Sequence, residues 1–199
     1  LELEEVDLVV INTDARDVLA ENGLADGERV LIRDRKPEIR GDSVSMNKVL
    51  ADDIAAIEAE TYLMTHTTNP LLRPTTMRSA LAAYRQGISE GRDSLFTVNR
   101  MQTRFYRADG SPVNHDPDNL VRTQDLEPWF EENSNLYYFS RDSFANTGAR
   151  IGKNPVLFET PSLESFDIDD ATGWHLAEII ALSQFISRSS RFFEDSNGG

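Results

Sequence analysis

The chain has 199 residues, of which 39% are hydrophobic and 27% charged, a composition typical of a globular protein long enough for one α/β domain. Its formal net charge of −14 excludes general binding to nucleic-acid backbones, and the absence of cysteine excludes disulfides, thiolate metal sites and a cysteine nucleophile. No apolar run is long enough to span a membrane, and the acidic N-terminus does not have the pattern of a secretory signal. We therefore expect a cytoplasmic protein that binds neither nucleic acid nor a membrane.

Short apolar segments alternate with amphipathic ones along the chain. Strands are predicted over residues 6–11, 29–33, 61–65, 94–98, 135–139 and 156–159. Helices are predicted over residues 15–22, 46–60 and 74–87, with a short one at 141–144 and a last one over about 171–186. Asp14 is placed to cap the first helix. This alternation of strands and helices indicates an open, mainly parallel sheet with helices on its faces. In such sheets ligands bind at the carboxyl ends of the strands.

Polar side chains follow two of the predicted strands at their carboxyl ends. Thr13 and Asp14 follow the first strand, and residues 66–72, which begin with His66 and include Asn69, follow the strand at 61–65. This placement favours hydrogen bonds to a small ligand. A lone histidine is more often a structural residue, and the three histidines of the chain lack metal-ligand spacing.

Residues 99–132 show no regular periodicity. Asp109 and Gly110 mark a turn within this segment, which also contains Arg122 and Gln124. An irregular segment of this length is usually functional or covers a partner. We interpret it as an arm that serves dimerisation or closes a site.

An acidic motif at residues 165–170 precedes the last predicted helix. In an extended segment Asp167 and Asp169 would point to one face, and Phe166 and Ile168 to the other. Two carboxylates on one face suit Mg²⁺, which proteins hold with one or two carboxylates together with substrate phosphates. The same acidic residues could instead cap the helix, with Asp170 among the candidates. The spacing alone leaves both readings open.

Several stretches together resemble one family, the acylneuraminate cytidylyltransferases, over residues 6 to about 186. In chain order they are residues 12–14, 35–45, 66–72, 122–133 and 165–169. The resemblance implies a Rossmann-like three-layer α/β sandwich of the nucleotide-diphospho-sugar transferase type. It also implies a single domain over residues 1–199, with residues 99–132 as a dimerisation arm near the active site. The implied reaction joins CTP to a sialic acid-like 2-keto acid sugar and gives a CMP-sugar and pyrophosphate.

The resemblance also implies roles for individual residues in a homodimer. Asp167 and Asp169 would be the catalytic metal ligands that hold Mg²⁺ at the phosphates of CTP. Arg35 would face the cytosine, with Ser45 and Asp14 in the same nucleotide-binding part of the chain. The sugar would be bound by six residues, of which Arg122 and Gln124 could come from either subunit: His66, Asn69, Arg122, Gln124, Asn133 and Tyr137.

The chain departs from the family pattern in two places. His66 stands where many members have a glutamine, which changes the hydrogen bonds available to the sugar. The basic, glycine-rich loop with which family members begin is not found, so about 30 residues, roughly one βα unit, are expected to be missing. Two alternatives therefore stay open: a catalytically impaired member that acts as a nucleotide-binding or dimerising module, and a related nucleotide-sugar transferase with an Asp-x-Asp metal site.

Overall fold

A computed structural model describes residues 3–196 of the chain, and the side chains of residues 3–183. The strands of the described part are β1 (Val9–Thr13), β2 (Val30–Asp34), β3 (Tyr62–Thr65), β4 (Ser94–Met101), β5 (Trp129–Phe139) and β6 (Pro155–Glu159). Its α helices are α1 (Arg16–Glu21), α2 (Met46–Ala56), α3 (Pro74–Ser89), α4 (Arg141–Thr147) and α5 (Ala171–Ser196). None of these helices combines the length and the hydropathy that crossing a bilayer requires.

The strands form two sheets. β1 and β2 pair in parallel, with Val9 opposite Val30 and Thr13 opposite Asp34. The other four strands are ordered β3-β5-β4-β6.

The chain is divided into two compact units, each assembled from separate segments. The first contains Leu1–Met64, Met77–Leu95 and Tyr137–Val156, and the second contains Thr65–Thr76, Phe96–Leu136 and Leu157–Gly199.

The first unit has a largely apolar core. Helix α2 buries Val49 and Ile54. The fully buried side chains include Leu95, Tyr137 and Phe139. Burial of such large side chains is the main source of stability of this unit.

The second unit buries more polar side chains than the first unit does. Its described apolar core consists of Val98, Leu126, Leu136 and Ala177. Its buried polar residues are Asn69, Thr76, Thr97, Asn133, Asn135, Thr160 and Glu164. Because a buried polar group lowers stability unless it is hydrogen-bonded, such a concentration points to a site rather than to a purely structural core.

Three local predictions were wrong. Asp14 does not cap α1: the helix begins at Arg16, its N-cap is Ala15, and the nearby hydroxyl of Thr13 accepts from the Ala15 N–H instead. β5 begins at Trp129 rather than near residue 135, because its place between β3 and β4 extends pairing into a segment whose own pattern is not strand-like. Helix α5 continues to Ser196, since neither glycine nor proline interrupts residues 187–196.

Candidate active site

The acidic motif lies in an irregular loop, residues 160–170, that connects β6 to α5. Asp167 and Asp169 are exposed, whereas Phe166 and Ile168 are partly buried, so exposure alternates as the sequence predicts even though the segment is not a regular strand. The Asp170 carboxylate accepts from the Gly173 N–H at 2.7 Å and caps α5, as predicted. The carboxylates of Asp167 and Asp169 make no hydrogen bond or ion pair with the described residues. These two groups are therefore available to a ligand.

This loop is fastened to the segment that follows β3. The Ile168 N–H donates to the Thr68 carbonyl at 2.9 Å, and the Asn69 side-chain N–H donates to the Phe166 carbonyl at 3.4 Å. Asn69 is only 5% exposed, and its side-chain oxygen has no hydrogen-bond partner among the described residues. The structure thus places Asn69, a predicted sugar-binding residue, directly against the loop that carries Asp167.

A cluster of hydrogen-bonded polar side chains surrounds Asn133. The Asn133 side-chain N–H group donates to the Thr160 hydroxyl at 2.7 Å and to the side-chain oxygen of Asn99 at 3.0 Å. Its oxygen accepts from the Asn135 N–H at 3.3 Å. Ser134, between the two asparagines, has φ of 57°, a left-handed conformation that costs a non-glycine residue about 1–2 kcal/mol. Backbone strain of this kind is characteristic of binding sites, where the correct placement of a side chain outweighs the energetic cost of the strained backbone.

An open cleft of about 410 Å³ lies beside this cluster, entirely within the second unit. Asp167 and Phe166 line one part of it, and Arg100 contributes a positive charge. Hydroxyl and amide groups supply hydrogen-bonding capacity, and the remaining lining residues are Asn99, Met101, Glu159, Thr160, Ser162 and Ser165. A cleft lined by hydroxyls, an amide, one guanidinium and the carboxylates of Glu159 and Asp167 is suited to a small polar ligand.

The other predicted sugar-binding residues have varied environments. His66 is partly buried at the end of β3, and Gln124 is exposed. The Arg122 guanidinium is bidentate to the Asp125 carboxylate, at 2.7 and 3.1 Å, although the Arg122 side chain is 73% exposed. Binding a substrate carboxylate at Arg122 would therefore compete with this pair.

Tyr137 lies in the first unit and is fully buried. The Arg150 guanidinium stacks 4.0 Å from the centre of its ring and also donates to its hydroxyl at 3.0 Å. The buried ring offers no surface to a sugar in this structure. We therefore assign Tyr137 a packing role instead of the sugar-lining role that the resemblance implies.

The predicted nucleotide-binding residues lie in the first unit. Arg35 donates to the side-chain oxygen of Asn12 at 3.1 Å and to the Asn12 carbonyl at 2.7 Å, which holds the guanidinium at the carboxyl end of β1. Ser45 is the N-cap of α2, where its hydroxyl accepts from the Asn47 N–H at 3.3 Å. Asp14 is exposed, directly after β1. Arg35 and Asp14 thus flank the end of a parallel strand, the usual location of ligands in such sheets.

A network of ion pairs stabilises the same region of the first unit. Arg33 pairs with both Asp52 and Asp53, and Lys36 also pairs with Asp52. The hydrogen bond from Lys36 is the main cause that lowers the pKa of Asp52. Since these carboxylates already have cationic partners, they are structural groups rather than candidate ligands.

The metal site predicted at Asp167 and Asp169 was tested against the donor atoms present. Among the described side chains of residues 3–183, no group of three or more histidine, aspartate or glutamate residues could by itself enclose a metal ion. A pair of free carboxylates still suits Mg²⁺, since that ion keeps several waters and is usually bound through one or two carboxylates plus substrate phosphates. The donor set therefore fits Mg²⁺ bound together with a nucleotide, and does not fit a protein-enclosed ion.

Comparison with known proteins assigns the family. The family model described as "Cytidylyltransferase" matches residues 1–185. The chain belongs to the cytidylyltransferase family. This membership makes it a nucleotidyltransferase by family, while the acylneuraminate branch of that family stays a prediction. Among curated proteins the sequence had no significant match.

Two solved structures share the fold of this chain. A CMP:2-keto-3-deoxy-manno-octonic acid synthetase, complexed with CTP, is 14% identical and has a TM-score of 0.60, with 92% of this chain and 84% of that chain covered. The 4-diphosphocytidyl-2C-methyl-D-erythritol synthase from Anaerococcus prevotii is 11% identical and has a TM-score of 0.58, with 91% and 81% covered. The predicted α/β fold of the nucleotide-diphospho-sugar transferase type is confirmed. At these identities the likeness concerns the fold alone.

Sequence reasoning missed part of the site in this cytidylyltransferase. Thr160 directly follows β6, so the rule that drew attention to His66 at the end of β3 would also have selected Thr160. Asn99 lies inside β4, where a polar residue in a strand is a weak signal of a binding site. Its meeting with Asn133, which is 34 residues away, depends on how β4 and β5 pair.

Proposed function

We propose that this protein transfers a cytidylyl group from CTP to an acidic 2-keto sugar of the sialic acid type. In the balanced reaction, the anomeric hydroxyl oxygen of the sugar forms a bond to the α-phosphorus of CTP. The bond from that phosphorus to the pyrophosphate oxygen breaks, pyrophosphate leaves, and the hydroxyl proton is released to solvent. The observation that carries the proposal is the pair of free carboxylates, Asp167 and Asp169, on a fastened loop at a polar cleft of a cytidylyltransferase.

Asp167 and Asp169 would hold Mg²⁺. When bound, this ion supplies charge neutralisation at the phosphates and orients the leaving group. The role of the protein is to keep both carboxylates unpaired and exposed while the flanking residues Phe166 and Ile168 anchor the loop. The anchoring limits the freedom of the two carboxylates before the ligand arrives, which reduces the entropy lost on binding.

The cleft of the second unit would receive the sugar. Its hydroxyl groups and Asn99 can exchange hydrogen bonds with a polyhydroxylated ligand, and Arg100 can attract the sugar carboxylate. Asn69 has a buried oxygen with no partner among the described residues, which a ligand hydroxyl or a bound water could satisfy. Asn133 bonds to Asn99 and Thr160 of this cleft. His66 would contribute to the same sugar site, whereas Arg122 and Gln124 would act in a homodimer, from the arm of the partner subunit.

The nucleotide base would be recognised in the first unit. Arg35 is held by Asn12 at the end of β1, where its guanidinium can donate to the carbonyl of a cytosine. Asp14 is exposed directly after β1, and Ser45 is the N-cap of α2. The Arg35→Ala variant should raise the KM for CTP more than the KM for the sugar. The opposite pattern would show that Arg35 serves the sugar.

The metal assignment is tested by a matched set of three aspartate variants of the full-length protein. Asp167→Ala and Asp169→Ala should each lower Mg²⁺-dependent pyrophosphate release by about 100-fold or more, the range found when one group that stabilises developing charge is removed. Asp170→Ala removes only the cap of α5, so it should lower stability by about 1 kcal/mol and keep most of the turnover. Normal turnover in both Asp167→Ala and Asp169→Ala would refute the metal assignment.

A further inference from the structure

Glu164 is a buried carboxylate three residues before Asp167. It is 4% exposed, which is unusual for a glutamate, because removing an ionised carboxylate from water is costly unless partners replace the water. One carboxylate oxygen accepts from the Arg73 N–H at 3.1 Å, and the other lies 3.7 Å from the Arg73 Nε. The Glu164 carbonyl accepts from the Asn135 side-chain N–H at 2.7 Å. Glu164 thus connects the loop to β5 and to the segment after β3.

These contacts fix the loop on the N-terminal side of Asp167. On the other side, the Ile168 N–H donates to the Thr68 carbonyl, and Thr68 belongs to the same segment as Arg73. The Asp167 side chain has no contact of its own with a described polar group, so its position depends on the loop backbone held at these two points. A buried charge with directional partners restrains the backbone more narrowly than an apolar side chain would.

We infer that Glu164 is a positioning residue for the two carboxylates of the proposed metal site, and that it acts by anchoring the loop through Arg73. The inference rests on the proposed function, since Asp167 and Asp169 must bind the ion for their placement to matter. Two ligands on one short loop bind an ion well only when both oxygens stand at the required separation. A displacement of about 1 Å in such a group can cost about 100-fold in rate.

The primary test compares Glu164→Gln with Glu28→Gln, an exposed glutamate of the first unit, in the full-length protein. Mn²⁺ serves as the probe, and its binding in the presence of CTP is followed by electron paramagnetic resonance. Glu164→Gln should weaken Mn²⁺ binding by about 10-fold to 100-fold, the range observed when groups that support metal ligands are changed. It should raise the Mg²⁺ concentration for half-maximal turnover in parallel, while the KM for CTP at saturating Mg²⁺ changes less than about 3-fold. Glu28→Gln should match the wild type.

Two further variants separate positioning from folding. Glu164→Asp keeps the charge and should recover part of the metal affinity lost in Glu164→Gln. Arg73→Met keeps the backbone N–H that bonds Glu164 but removes the guanidinium, so it should cause a smaller shift in the same direction, even if the Glu164 variants fold poorly. A purely structural role predicts a lower melting temperature with unchanged Mn²⁺ affinity in the folded fraction, and that result would overturn the inference.

The outcome also distinguishes this inference from the proposed function. If Asp167→Ala and Asp169→Ala retain Mn²⁺ binding and turnover, the proposed metal site itself is wrong. If they lose both and Glu164→Gln and Arg73→Met bind Mn²⁺ like the wild type, the metal site stands and only the positioning role of Glu164 is refuted.

Discussion

Gly87, near the end of α3, is buried against β6, and its replacement by alanine provides a quantitative test of the fold. A Cβ atom at Gly87 would lie 2.4 Å from Cγ2 of Val156. Two carbon atoms in contact are normally 3.5–4.0 Å apart, so either the Val156 side chain must leave its rotamer or the helix and the strand must separate by about 1 Å. Such overpacking costs about 1–3 kcal/mol, and the better helix propensity of alanine offsets about 0.5–1 kcal/mol. We expect Gly87→Ala to lower the free energy of unfolding by about 1–2 kcal/mol.

The assay is urea unfolding of the wild type, Gly87→Ala, Val156→Ala and the double variant. Val156→Ala removes the atom that the new Cβ would meet, so Gly87→Ala should cost less in that background, with a coupling energy of about 1–2 kcal/mol. Gly27→Ala is the control, because a Cβ there would meet nothing within 4 Å. An increase in stability for Gly87→Ala, together with additive effects in the double variant, would refute this packing of α3.

Two smaller predictions concern polar contacts in the first unit. Lys36 lowers the pKa of Asp52, so the ionised carboxylate stabilises the fold above its unfolded-state pKa of about 4, and this contribution is lost as the pH falls through the lower folded-state pKa. Lys36→Met should therefore lower the free energy of unfolding by up to about 1 kcal/mol at pH 7, and a difference in urea midpoint that does not shrink as the pH is lowered would contradict this cause. Tyr138 is 3% exposed and donates to the Met77 carbonyl at 2.9 Å, so Tyr138→Phe should cost about 1 kcal/mol in the same assay. Tyr106→Phe, at a 56% exposed residue, should cost much less, and equal losses in the two variants would argue against the buried hydrogen bond.

The periodicity of the sequence predicted most of the elements, because each carries a local signal. Helix α2 has apolar residues at helical spacing, and two of them, Val49 and Ile54, are buried in the structure. The predicted cap of α1 was wrong. Several residues near Asp14 could accept a hydrogen bond from the N–H groups of the first helical turn, and the sequence does not show which of them does so. The predicted start of β5 was also wrong, because the length of this strand depends on its pairing with distant segments of the chain.

The candidate site was predictable only in part, because some of its residues meet only through contacts between distant segments of the chain. Local spacing predicted the alternation at Asp167 and Asp169 and made Asp170 one candidate for the helix cap, and the structure agrees with the exposure pattern and shows Asp170 as the cap. The cluster of Asn133 with Thr160 could not, because these residues are 27 positions apart and meet through tertiary packing. The burial of Glu164 was equally inaccessible, since a glutamate in a polar loop is normally expected to be exposed.

The central claim is cytidylyl transfer to an acidic 2-keto sugar, and detection of the product by mass spectrometry tests it most directly. The full-length protein would be incubated with CTP, Mg²⁺ and a panel of nine-carbon 2-keto acid sugars, and Asp167→Ala would be treated identically. We expect a CMP-sugar and pyrophosphate in equal amounts from at least one sugar, and neither from Asp167→Ala. Binding of CTP without a CMP-sugar from any member of the panel would contradict the claim and would favour a nucleotide-binding module instead.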